Sequence, residues 1–237
     1  MNQSIVDELN AYADTSRIPD SKRFFKTGIG EYGEGDVFLG IKVPDTRKVV
    51  KKHFLNMTFE EIEVFLYSKY HEHRLFALLV LVEQYKSKKI NNTSKKEAIY
   101  HFYLKHHAQV NNWDLVDVSC HHIVGAHLFD KDRSLLYELA KSENLWEKRI
   151  AIISTFAFIN IGEFDDTLHI ADILLKDKHD LIHKAVGWAL RNVGIKDLQT
   201  ELDYLLSRYK KMPRTMLRYA IEKFDGELGE KYLKGMV

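Results

Sequence analysis

The sequence predicts an all-α chain built as a helical-repeat solenoid, and three observations carry that prediction. Apolar residues recur at spacings of three and four along almost all of the 237 residues. Only three prolines, Pro19, Pro44 and Pro213, interrupt the chain. A shared pattern returns five times: a polar or aromatic start, a register position that is charged in four of the five, then an apolar helix. No long strand-like alternation competes with the helical period.

The first element is a polar, acidic start, Met1 to Glu8, which lacks the apolar stretch of a secretion signal. No apolar run approaches the roughly 18 residues a membrane span needs. The single Cys120 fits a reducing compartment, so a soluble cytoplasmic protein with no membrane partner is expected. A glycine-rich stretch, Thr27 to Asp36, spells G-x-G-x-x-G at Gly28, Gly30 and Gly33. No strand precedes it, and Glu31 and Glu34 would repel a phosphate, so it reads as a flexible connector rather than a nucleotide loop. Pro44 and Pro213 each stand just before a strongly periodic segment, where the fixed backbone angle of proline suits a first helical turn.

The repeats begin near Tyr70, Trp113, Trp146, Leu181 and Met212. In register, the position before the apolar run is Arg74, Asp117, Arg149, Lys184 and Met216, at spacings of 43, 32, 35 and 32 residues. Each interval holds two helices, the column helix being preceded by Phe59–Leu66, Lys95–Leu104, Ser134–Leu139, Thr167–Leu174 and Thr200–Leu206. This is the pattern of a HEAT-like or armadillo-like solenoid. A single domain over 1–237 is expected, with N-terminal helices and the glycine-rich loop in 1–55 and repeats in 56–237. The second helices would line one wall, placing Arg74, Asp117, Arg149 and Lys184 in a row. All three tryptophans lie one helical turn from a charged residue, Trp113 from Asp117, Trp146 from Arg149, and Trp188 from Lys184 and Arg191, so their rings would share that wall.

The net charge is only +1, so any polyanion must be met by local clusters. Arg47, Lys48, Lys51 and Lys52 form one, and Arg208, Lys210, Lys211, Arg214 and Arg218 another. A concave basic face carrying large rings suits a nucleic acid. The competing reading makes the clusters solvated helix faces and the column a set of inter-repeat salt bridges, with Asp117 neutralising Arg74 and Arg149. Twelve histidines invite a metal, as at His71 and His73 or His121 and His122. Adjacent helical residues diverge by about 100°, and no H-E-x-x-H pattern occurs, so no metal and no cofactor are expected. Ser119 and Cys120 lie within a helix, which does not suit a nucleophile.

Three segments carry a resemblance: Asn112-Trp113-Asp114-Leu115-Val116-Asp117, Leu145-Trp146-Glu147-Lys148-Arg149-Ile150-Ala151-Ile152 and Lys184-Ala185-Val186-Gly187-Trp188-Ala189-Leu190-Arg191. Together with Phe38-Leu39-Gly40-Ile41, Pro44 and Pro213-Arg214, they resemble the AlkD family of bacterial DNA alkylation-repair glycosylases over most of the chain. The resemblance implies a monofunctional glycosylase that removes N3- and N7-alkylated purines from duplex DNA without a base-flipping pocket. It implies that Trp113 and Trp188 pack against the deoxyribose, that Asp117 is the catalytic carboxylate, and that Arg149 contacts a phosphate, with Arg191 beside it. Lys148, Lys184, Arg47, Lys48, Lys51, Lys52 and Arg214 complete the expected DNA-binding set. Asn112 stands where the family's best-known member has a second aromatic residue.

The residue types suit that chemistry. A purine alkylated at N7 or N3 is already cationic and leaves as a neutral base, so the barrier lies in the oxocarbenium character growing on the sugar. A fixed carboxylate and two indole faces stabilise that charge, each ring by roughly 0.5–2 kcal/mol. The expected partner is double-stranded DNA with alkylated bases, and the expected state a monomer. The alternative is a catalytically inactive solenoid that binds damaged or branched DNA.

Overall fold

The computed structural model describes residues 2–90 and 92–237, so Met1 lies outside the described residues. Among them regular structure is helical, and the β contact present is an isolated bridge between Val37 and Tyr70. No described helix is long and apolar enough to cross a membrane. Two compact units follow one another along the chain, one ending at Ile123 and one starting at Val124.

The first unit contains α1 (Gln3–Asn10), α2 (Ile18–Phe24), α3 (Val43–His53), α4 (Phe59–Leu66), α5 (His71–Lys86), α6 (Thr93–Lys105) and α7 (Trp113–Asp117). Pro44 sits in the first turn of α3, whose last turn carries Lys51, Lys52 and His53, cations that suit the negative end of the helix dipole. Thr58 and Glu61 close a reciprocal capping box on α4, so that helix starts where the sequence says it should. α5 is the centre of the unit: it packs against α3, α4, α6 and α7, and nearly its whole circumference is buried. That accounts for a helix whose apolar residues run all round rather than along one stripe.

The second unit contains α8 (Ser134–Ala140), α9 (Leu145–Ser154), α10 (Phe156–Ile159), α11 (Asp165–Leu174), α12 (Asp180–Lys196), α13 (Leu198–Leu206), α14 (Arg214–Ala220) and α15 (Gly226–Lys234). Asn144, Asp197 and Asp225 cap α9, α13 and α15 with side-chain oxygens, and Gly235 ends α15 in the left-handed region. α12 is the central helix here, against α9, α11, α13 and α14. Gly187 lets α14 approach α12 closely, since a Cβ there would lie 2.4 Å from the Met216 carbonyl oxygen and 2.5 Å from Tyr219 Cβ.

The helical-repeat reading therefore holds. The five sequence-derived pairs follow one another along the chain as α4 and α5, α6 and α7, α8 and α9, α11 and α12, and α13 and α14; α4 packs on α5, α8 on α9 and α11 on α12, whereas α13 and α14 both pack on α12. One helix differs. α7 stops after five residues, giving way to a turn at 118–119 and a π-type turn over 121–125. Ser119 Oγ donates to the Leu115 carbonyl at 2.5 Å, a back-bond of the kind that loosens a helix.

Candidate functional site

In the first unit, three segments far apart in sequence meet around His71. The glycine-rich loop brings Asp36. Gly28 and Gly30 donate their backbone N–H groups to Glu31 and Glu34 at 2.8 and 2.9 Å, and Gly30 and Gly35 take φ values of 77° and 87°. This corrects the reading of the loop as a flexible connector: its two glutamates close its turns, and it ends by aiming a carboxylate inward. Asp36 Oδ2 lies 3.2 Å from His71 Nδ1 and accepts from Asn112 Nδ2 at 3.0 Å, while Asp36 Oδ1 accepts from Arg74 Nη2. His71 Nε2 lies 2.8 Å from Asp114 Oδ2 at the start of α7.

His71 is thus clamped between two carboxylates with 3% of its side chain exposed. Burial by itself would drive its pKa down; the charge of Asp114, the hydrogen bonds to Asp114 and Asp36 and the charge of Asp36 push it up to about 9. It is an imidazolium at neutral pH and donates from both nitrogens. Asp36 is held below the usual carboxylate range: burial opposes ionisation, and the His71 hydrogen bond, the Arg74 charge and Asn112 outweigh it. The neighbouring Glu72 has a separate task, accepting from the backbone N–H groups of Leu39, Gly40 and Ile41 at 3.0, 2.8 and 3.3 Å. Gly40, at φ 78°, is required there because a Cβ would fall 2.0 Å from the Asp14 carbonyl oxygen.

An aromatic group covers this charge cluster. Phe25 stacks between Trp113 and Phe38, with ring centroids 5.5 and 5.2 Å away, and lies 4.7 Å from His71. Phe24 stands edge-on to Phe25 and Trp113 and is 62% exposed. Beside the rings opens a cavity of about 930 Å³, walled by Phe24, Phe25, Phe38, His71 and Asp114, with Arg17, Lys26 and Lys42 contributing positive charge.

The residues singled out from sequence fall as follows. Trp113 belongs to this ring cluster, whereas Asp117, half-buried one turn later, is not among the residues walling the cavity; Asp114 is. Burial raises the Tyr103 hydroxyl well above its ordinary pKa, and the charge of Asp117 adds to that. Arg74 is a correction: it is 4% exposed and engaged by Asp36 and the Ser68 carbonyl, because α5 is enclosed on all sides, so it offers no surface cation. Arg47, Lys48, Lys51 and Lys52 are exposed on α3, with Lys48 2.7 Å from Asp45 and Lys52 paired with Glu8.

In the second unit, Trp188 on α12 is half-buried and edge-on to Phe156 at 4.7 Å. Lys148 pairs with Asp177 at 2.9 Å, Lys184 with Asp180 at 2.6 Å, and Arg191 with Glu222. Arg149 is 4% exposed and donates Nη1 to the Leu181 carbonyl at 2.6 Å, tying α9 to the first turn of the helix that carries Trp188. Arg214 is exposed and donates to the Leu233 carbonyl at 2.7 Å. Sequence reasoning missed Asp36, His71, Asp114, Phe24 and Phe25. The available signal was the acidic end of the glycine-rich loop and a histidine opening an apolar helix, weighed only as a metal ligand.

Helical repeats of this order, with a tryptophan and carboxylates gathered at the start of a short helix, define a class of all-helical repeat protein. Residues 5–224 match the profile of the DNA alkylation repair enzyme family, and the chain belongs to that family. Among solved structures it is similar to one described as a predicted DNA alkylation repair enzyme from Enterococcus faecalis. The two share 15% identity and a TM-score of 0.68, over 90% of this chain and 97% of that one, a likeness of fold. A search of the curated proteins returns no match.

Proposed function

We propose that this chain is a monofunctional DNA N-glycosylase that hydrolyses the N-glycosidic bond of N3- and N7-alkylated purines in duplex DNA. The observation that carries the reading is family membership across residues 5–224, joined to the presence of Trp113 and Asp117 in the first and Trp188 in the third of the segments that resemble the AlkD family. The alkylated base departs as a neutral leaving group, so the protein needs no general acid. Asp117 stabilises the oxocarbenium charge on the sugar and orients the attacking water, and the face of Trp113 adds cation–π attraction that grows with that charge, the role that the resemblance also gives Trp188.

Phosphate contacts fall to exposed cations first, Arg47 and Lys51 ahead of Lys48 and Lys52, whose charges are shared with acids. Lys148, Lys184, Arg191 and Arg214 have protein partners already and serve the DNA by exchanging or sharing them. Arg149, being buried, acts as a positioning residue for α12 as well as a candidate phosphate contact.

The test is release of 7-methylguanine from methylated duplex DNA by wild-type and Asp117→Asn protein. Wild-type protein should release the base, and the variant should lose release while keeping DNA affinity. Equal release by both removes Asp117 from the mechanism. Binding without release by the wild type favours the inactive DNA-binding solenoid instead.

A further inference from the structure

Trp113 and Asp117, which carry the chemistry in the reading above, are the first and last residues of α7. So short a helix is not held by its own backbone hydrogen bonds, because nucleation fixes several dihedral angles for each bond gained. Its C-terminal end adds little: Ser119 bonds back to the Leu115 carbonyl, and the chain passes into the π-type turn. What orients the indole and the carboxylate therefore acts at the start of the helix.

There, the residues on either side of Trp113 are both tied to one buried ring. Asn112, fully buried, accepts from the Trp113 backbone N–H at 2.8 Å and donates to Asp36 at 3.0 Å. Asp114 accepts from the Leu115 backbone N–H at 2.8 Å and lies 2.8 Å from His71 Nε2. His71 Nδ1 lies 3.2 Å from Asp36, and the imidazole centroid is 4.7 Å from Phe25, the ring on which Trp113 stacks. The bridge needs a proton on each nitrogen, since a neutral imidazole donates from one and turns a lone pair towards the other carboxylate.

The charges around the ring favour that doubly protonated form. Asp36 faces it from the glycine-rich loop and Asp114 from α7. On α5 itself, Arg74 is paired with Asp36, and Glu72 is occupied by three backbone N–H groups. Arg17, Lys26 and Lys42 stand along the adjoining cavity. The two facing acids outweigh burial and keep the proton in place to about pH 9. At 3% exposure the ring offers DNA almost no surface, so its influence passes through α7.

We infer that His71 is a positioning residue for base release: as an imidazolium it bridges Asp36 and Asp114, and so fixes the short helix that presents the Trp113 ring and the Asp117 carboxylate. This role rests on the glycosylase reading above, in which both groups act on charge developing at the sugar. Such stabilisation depends on placement, and a shift of about 1 Å costs roughly a hundredfold in rate. Affinity comes from phosphate contacts made elsewhere, so a broken bridge slows release and spares binding.

The experiment follows single-turnover release of 7-methylguanine from methylated duplex DNA by the full chain at saturating concentration, from about pH 6 to about pH 10. His71→Gln, which keeps one donor and no charge, should slow release at least about tenfold at neutral pH with Kd within about twofold. The ratio of wild-type to variant rates cancels any titration of the DNA, and it should fall with a midpoint near pH 9. Asp114→Asn keeps an acceptor and removes the charge that most raises His71, so its alkaline limb should move down by about one pH unit or more. Equal rates for His71→Gln and wild type, a ratio flat across pH, or an unmoved limb in Asp114→Asn each overturn the role. Should His71→Gln fail to fold, the limb of Asp114→Asn decides.

A second measurement needs no base release. In Trp146→Phe/Trp188→Phe protein, where Trp113 is the remaining indole, adding Asp114→Asn or His71→Gln should raise acrylamide quenching about twofold as the start of α7 loosens. Wild-type protein that releases no base sinks the glycosylase reading, and quenching then decides the bridge alone. Unchanged quenching overturns the bridge even where release is intact.

Discussion

Replacing His71 with glutamine removes the charge that joins the glycine-rich loop to α7, and the structure sets the size of the effect. The imidazolium is held to about pH 9 in the folded protein against 6.5 in the open chain. A group raised in this way contributes stability that is complete below pH 6.5 and is lost as pH climbs through 9. At about 1.4 kcal/mol per pH unit of difference, the contribution is about 3 kcal/mol at pH 6.5 and about 0.2 kcal/mol at pH 9.5. Urea denaturation of wild-type and His71→Gln protein at those two pH values reads it directly. The wild type should exceed the variant by about 3 kcal/mol more at pH 6.5 than at pH 9.5. A gap that stays constant across the range would show that His71 is neutral when folded, and the reading of Asp36 and Asp114 as its charge partners would fail with it.

Glu201, 2% exposed against α12, presents the opposite sign: burial lifts its carboxyl to about 8 despite the Arg191 charge. The folded state therefore keeps a proton that the unfolded chain releases above pH 4.5, and Glu201→Gln should gain about 3 kcal/mol on the wild type between pH 5 and pH 8. A pH-independent difference in urea midpoints would contradict this. Gly187→Ala forces a methyl into the Met216 backbone and should cost roughly 1–3 kcal/mol in chemical denaturation; an unchanged midpoint would mean that α12 and α14 separate without penalty. Lys51→Ala should lower the salt slope of DNA binding by about one, as one lost phosphate contact does. Arg149→Ala should weaken binding by loosening α12, and if its slope also drops by about one, Arg149 contacts phosphate directly.

Local signals made much of this molecule legible in advance. Pro44 and Pro213 marked the starts of α3 and α14, and the three- and four-residue apolar period placed helices in each repeat, α4 at Phe59–Leu66 among them, although α7 stops at Asp117. The resemblance to DNA alkylation repair proteins rested on short contiguous segments, and those fall at the starts of α7, α9 and in the middle of α12. The charge column was less well read. Arg74 carries the right residue type at the right register, yet helical spacing says only which face a side chain takes, and in α5 every face is buried.

What the sequence alone determined was therefore set by neighbours within a turn or two: helix identity, the helix starts marked by proline, the order of the helices and the family-bearing segments. Tertiary structure decided which charges meet. His71 finds Asp36 35 positions back and Asp114 43 positions on, and Phe25 reaches Trp113 across most of the unit. Electrostatic partnership depends on distance and burial, and chain folding fixes both only after the helices have found each other. A carboxylate, an imidazole and a glycine-rich loop that look like a connector and a stray histidine in one dimension become a walled, charged cavity in three.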